Sequence, residues 1–177
     1  MNFILWSQKK QKYIELDLSD PKDAAKVSIK FIAQRLSKIQ RCSGTSPVSV
    51  LNHSLAVYSL TAAKSNNPAV LLCALLHDMT EAFIGDVPSR FKTEDFKRNE
   101  NELLFYLMAR FVPNLGLLEF ADAQAVVKQF DKEAWELELL YQYSDYRDSR
   151  RGKDISVNRF IAIYNRLLKT INERKRQ

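Results

Sequence analysis

Eight consecutive apolar residues, Ala69-Val70-Leu71-Leu72-Cys73-Ala74-Leu75-Leu76, run without a polar break into His77 and Asp78. A helix that is apolar on every side has to sit inside a core, because none of its faces suits water. The other segments must therefore build a shell around it. The end of this buried helix must also tolerate an imidazole and a carboxylate, with Glu81 and Asp86 close behind. An ionised carboxylate in that position is costly unless a cation or hydrogen-bond donors receive it. The pattern predicts one helix from Pro68 to Phe83, stopped by Gly85 and Pro88.

The rest of the chain reads as helical. It holds only 4 Gly and 5 Pro in 177 residues, with Leu, Ala, Lys, Glu and Gln plentiful. Its 46% hydrophobic and 27% charged residues are enough for one domain spanning residues 1–177, a core under a solvated surface. Asp20 is placed to cap, and Pro21 to open, a helix over about 22–39 with Val27, Phe31 and Leu36 facing inward. Gly44 and Pro47 mark a loop at 41–49. Further helices are expected at about 49–64, 93–111, 122–144 and 154–174, with "SNN", "PNLG" and "RRG" as turns. Residues 3–18 read as a small β-hairpin appended to the core, since Ile14, Leu16 and Leu18 alternate with Tyr13, Glu15 and Asp17. The expected class is all-α with an N-terminal hairpin.

Net charge is +6, with the excess at "KKQK" (9–12), "RDSRRGK" (147–153) and "ERKRQ" (173–177). Such a balance suits an anionic partner, a nucleic acid or a small phosphate, although basic ends are more often simply solvated. The two cysteines, Cys42 and Cys73, lie far apart, and Cys73 falls inside the apolar run, where a free thiol acts as a small hydrophobe. A reducing cytoplasm is the expected setting. There is no apolar span of membrane length, and the first lysines follow the opening apolar patch, the reverse of a secretory signal, so no membrane partner is expected.

The chain has two histidines, His53 and His77. Each taken singly reads as a core histidine. A second acidic oddity lies at 127–141, where Val127, Phe130, Ala134, Leu137 and Tyr141 recur at helical spacing and put Asp131 and Glu138 beside the same face. A buried ion pair with Lys or Arg would satisfy those acids. So would a cation: His53, His77, Asp78 and Asp131 form a nitrogen and oxygen set suited to one divalent first-row metal, with positions left open for water and substrate.

His53 in "LNHSLAV", His77-Asp78 in "ALLHDMTEAFIGDVPSRFK" and Asp131 in "VVKQFD" resemble the H…HD…D signature of the HD-domain metal-dependent phosphohydrolases. The flanks, "LLHDxxExxxGDxPxxxK" and an arginine ahead of the first histidine, are similar to the branch of bacterial 5'-deoxynucleotidases and small phage-type HD hydrolases. The likeness runs, with gaps, over about residues 30–140. It implies an HD-domain helical bundle in which His53, His77, Asp78 and Asp131 hold the metal and Glu81, beside Asp78, handles the proton of an attacking water. It also implies that Arg41 and Lys92 meet phosphate and that Asp86 contacts the sugar. This chain departs from the branch at Cys42, where an aromatic residue usually follows the arginine, and it lacks the extra acidic pair of the alarmone hydrolases.

The function expected from the resemblance is a metal-dependent phosphohydrolase acting on nucleotides, a 5'-(deoxy)nucleotidase releasing phosphate from (deoxy)nucleoside monophosphates. Cleavage of a nucleoside triphosphate to tripolyphosphate is the alternative within the same fold. A non-catalytic HD-like module binding nucleic acid or protein is the alternative outside enzymes. The cofactor would be one divalent ion of Mn, Co, Zn, Fe or Mg. The partner would be a small nucleotide rather than a nucleic acid, and the resemblance implies a homodimer or a larger ring.

Overall fold

The computed structural model describes residues 1–7, 12–141 and 153–174. Its centre is the apolar run, which forms helix α4 (Pro68–Leu76) with every residue buried. Asn67 caps it by accepting from Ala69 N at 3.0 Å, and Pro68 occupies the first position, where a missing N–H leaves no bond unmade. Three helices pack around it: α3 (Val50–Ala62), α7 (Leu117–Tyr141) and α8 (Lys153–Arg174). Leu51, Leu72, Leu75, Leu103, Leu107 and Phe160 are among the most deeply buried side chains where these elements meet α6 (Glu94–Phe111).

The helix expected over 68–83 is broken in two. α4 ends at Leu76 with His77 as its C-cap, and α5 (Glu81–Ile84) begins after a tight turn. Through that turn backbone bonds reach back three residues, Met79 N to the Leu76 carbonyl and Glu81 N to the Asp78 carbonyl, both at 3.0 Å. Tightening the ladder in this way rotates His77 and Asp78 off the face that a continuous helix would give them. Gly85, at φ 78°, then ends α5 in a backbone region that few other residues accept.

The helix expected over 22–39 is also two elements. Asp20 caps α1 (Pro21–Ala24) as expected, but Ser28 takes extended backbone and caps a fresh helix, α2 (Ile29–Leu36), through Phe31 N at 3.1 Å. Val27 and Leu36 are buried and Phe31 is half-buried.

The hairpin pairs β1 (Asn2–Ser7) with β2 (Lys12–Asp17), antiparallel, in register Asn2↔Asp17 to Ser7↔Lys12. It is more than an appendage: Leu5, Leu16 and Leu18 belong to the main core, Phe3 packs on Phe83 of α5 at 5.1 Å, and Tyr106 donates to the Leu18 carbonyl. In α7, Val127, Phe130 and Ala134 are buried, whereas Leu137 is exposed, so the inward stripe continues through Glu138 instead.

Cys73 is buried and free, and burial pushes its thiol up to about 12. Among the described residues no helix is long and apolar enough to cross a membrane. The "RRG" turn, residues 142–144 of the helix expected over 122–144, and most of the basic segments lie outside the described residues.

Candidate metal centre and its cleft

Four ligand-type side chains approach one another, and three of them, His53, His77 and Asp131, form the tight group, with Asp78 beside the two imidazoles. Ser49 caps α3 and sets His53 one turn in, fully buried. The end of α4 supplies His77, the turn after it supplies Asp78, and the middle of α7 supplies Asp131. Imidazole and carboxylate atoms alternate around the cluster: His53 Nε2 is 2.8 Å from Asp131 Oδ1 and 3.8 Å from Asp78 Oδ2, while His77 Nε2 is 3.7 Å and 3.0 Å from those same oxygens. Two donors bound to one ion at about 2.1 Å each lie roughly 3 to 3.5 Å apart, so the spacings observed fit a shared cation. His53, His77 and Asp131 alone place ligand atoms within 4.8 Å of one another, close enough to hold a metal.

The ring nitrogens facing away from the cluster are engaged. His77 Nδ1 donates to the Ala74 carbonyl at 2.9 Å, which turns Nε2 toward the cluster. His53 Nδ1 donates to Glu138 Oε1 at 2.6 Å. Such outer partners fix the ring and its tautomer and raise its basicity as a ligand. Asp131 and Glu138 lie seven residues apart on α7, two turns along one face, so a single helix addresses both nitrogens of the His53 ring. Sequence reasoning placed Glu138 on the inward stripe but gave it no part in the site. Its signal was the spacing from Asp131.

His77 Nε2 is buried without a hydrogen bond even though Asp78 lies 3.0 Å away. Burial opposes a charge on His77, but Asp78 and Asp131 outweigh it and hold the imidazole well above its ordinary range. Burial likewise raises the acids, yet the His77 and His53 rings overcome it and hold Asp78 at about 2 and Asp131 below its usual range. In this set the two carboxylates need positive charge beside them, and a divalent ion would supply it while leaving the imidazoles neutral to bind. The donors present therefore fit one.

The expected catalytic and substrate residues surround the cluster with distinct engagements. Glu81 opens α5 and is buried, and its Oε2 has no hydrogen-bond partner. Burial, reinforced by the charges of Asp78 and Asp86, pushes its carboxyl up to about 9. Arg41 reaches Asp78 Oδ2 at 3.3 Å through one terminal nitrogen and Glu138 Oε2 at 3.2 Å through Nε. Asp86 accepts from Ser43 N at 2.8 Å and so pins the loop that carries Arg41. That loop is wound tightly: Cys42 and Ser43 both sit at φ 55° and Gly44 at φ 88°, and a non-glycine residue in this region costs about 1–2 kcal/mol. Lys92 is held by both carboxylate oxygens of Glu100 at 2.8 Å, so its ammonium already has an anionic partner.

Above the cluster opens a cleft of about 810 Å³ that Arg41, Asp78, Glu81, Asp86, Lys92 and Asp131 all border. Arg90, Phe91, Lys132 and Trp135 are also among its walls, and sequence reasoning missed all four. Trp135 and Lys132 were findable as neighbours of Asp131 on α7, whereas Arg90 and Phe91 sit in the short 3-10 turn Ser89–Phe91, for which the sequence offered no signal beyond Pro88. A smaller cavity of about 230 Å³, walled by Cys73, Leu76 and Phe120 among others, approaches His77 and Asp131 from the apolar side.

A family model described as HD domain matches residues 33–174, a span that includes every metal-ligand candidate and most of the helices. No curated protein matches the chain. HD domains are generally hydrolases that bind divalent metals, and the cluster of His53, His77 and Asp131 is positioned to do so here. With some four-fifths of its length matched, the chain belongs to the HD domain family.

Proposed function

We propose that the protein is a metal-dependent phosphohydrolase that releases orthophosphate from (deoxy)nucleoside monophosphates. The observation that supports this reading most is the alternating imidazole and carboxylate cluster, set at the floor of a cleft whose walls carry Arg41 and the buried carboxyl of Glu81. His53, His77, Asp78 and Asp131 would hold the ion. When bound, a divalent ion supplies Lewis acidity, polarising a phosphoryl oxygen and lowering the pKa of water.

The chain's own residues do the rest. Glu138 and the Ala74 carbonyl fix the two imidazoles so that each presents Nε2. The Glu81 carboxyl, held protonated by burial and nearby acids, would give its proton to the departing ester oxygen, and the carboxylate so formed would take up the proton released by the attacking water. Arg41, charged and half of it already committed to Asp78 and Glu138, presents its remaining donors to the phosphoryl oxygens, where charge grows as the ester bond breaks. Asp86 holds the Arg41 loop through Ser43 and borders the cleft where a sugar would lie.

Screening nucleoside mono-, di- and triphosphates with manganese, cobalt, zinc, iron or magnesium tests the reading. The expected result is orthophosphate from monophosphates, abolished in Asp78→Ala. Release of tripolyphosphate from triphosphates would replace the nucleotidase by a triphosphohydrolase. No release with any ion, accompanied by salt-sensitive binding of DNA or RNA, would favour a binding module.

A further inference from the structure

Large aromatic side chains are costly to leave in water, each burying about 150–250 Å² when covered. Two are left exposed at this cleft: Phe91 is 64% exposed and Trp135 is 42% exposed. Both line the same cavity as Asp78, Glu81 and Asp131. Trp135 follows Asp131 by four residues on α7, so its indole stands one helical turn from a metal-ligand candidate and on the neighbouring stretch of helix surface. No ring or cation contact engages that indole among the described residues. Phe91 carries the Arg90 guanidinium over its ring at 4.9 Å, which adds a cationic plane to the same wall.

The cleft volume matters as well. About 810 Å³ is far more than a phosphoryl group needs and falls in the range that small-molecule sites occupy. Phe91 and Trp135 offer flat apolar surface in a cleft that is otherwise lined largely by charged and small side chains, and so mark where an uncharged, flat portion of a ligand would lie. Position 42 is Cys, so the residue after Arg41 supplies no aromatic surface.

We propose that Trp135 and Phe91 are the walls on which the nucleobase of the substrate stacks, making Trp135 a specificity-determining residue. The proposal rests on the nucleotide phosphohydrolase reading and adds to it where selectivity for a base-bearing substrate arises. Stacking of this kind reads the π-face that every base has, so it selects for the presence of a base with little preference among bases.

Two measurements test it. In the metal-loaded enzyme, Trp135→Ala is expected to raise KM for a nucleoside monophosphate about tenfold, the effect of losing one base stack, with kcat nearly unchanged. The same variant should leave KM for ribose 5-phosphate, which has no base, unaltered, and Trp135→Phe should recover most of the loss. An equal change for both substrates, or none for the nucleotide, would overturn the proposal. The second measurement needs no turnover: in a Trp6→Phe background, the fluorescence of Trp135 should be quenched saturably by a nucleoside monophosphate and left unchanged by ribose 5-phosphate. Quenching without hydrolysis would uphold the stack while removing the nucleotidase reading. Hydrolysis with no quenching and an unaffected Trp135→Ala would remove the stack and leave that reading in place.

Discussion

Glu81 shows most clearly what a single residue contributes. Its carboxyl is buried between α5 and the metal-ligand candidates, with burial and the charges of Asp78 and Asp86 pushing it up to about 9 from an ordinary 4.5. Between those two values the folded protein keeps a proton that the unfolded chain releases, so stability contributed by the neutral form is lost as pH rises through that window. In protein stripped of metal by a chelator, Glu81→Gln is therefore expected to melt at a higher temperature than the parent at pH 8, with the gap closing toward pH 5. A gap independent of pH, read by thermal denaturation at several buffers, would show that Glu81 is ionised in the fold. The four ligand-type residues were legible in sequence because imidazole and carboxylate at the end of an apolar run have few stable explanations. The part played by Glu138 was not, since an acid on a stripe can be satisfied by an arginine, an imidazole or water, and only the folded arrangement reveals that it takes both Arg41 and His53.

At the level of elements, α4 dictates the arrangement. All nine of its residues are buried, so every neighbour is placed by the need to cover it. Leu72, at its middle, is 0% exposed, and Leu72→Ala is expected to cost about 2–5 kcal/mol in urea denaturation, since surrounding helices close only partly on the cavity. A cost under about 1 kcal/mol would mean that the site collapses freely and α4 is less tightly enclosed than described. Helix existence was legible from periodicity and caps, as at Asp20. The breaks at Ser28 and at His77 to Thr80 were not, because Val27, Phe31 and Leu36 fit one continuous helix as well as two, and the residues from Met79 to Phe83 remain apolar enough to extend α4. Tertiary demand decided both: a serine able to cap, and a turn that aims His77 and Asp78 at α7.

For the molecule as a whole, the cluster is where α3, α4 and α7 meet, joining residues as far apart in sequence as His53 and Glu138. Among the described residues, the buried side-chain nitrogens and oxygens left without a hydrogen bond belong to Arg41, His77 and Glu81, all at this junction. The cleft's cationic and aromatic walls come from the 41–49 loop, the turn after α5 and the outer face of α7, segments with no common local pattern, which is why sequence gave its floor more readily than its sides.

The most direct test of the central claim is metal content measured by elemental analysis after loading with each candidate ion and dialysis. The expected result is about one equivalent of a divalent ion in the parent protein, and almost none in a folded Asp131→Ala variant whose helical circular dichroism is unchanged. A full equivalent retained by that variant, or no ion retained by the parent under any loading, would contradict it.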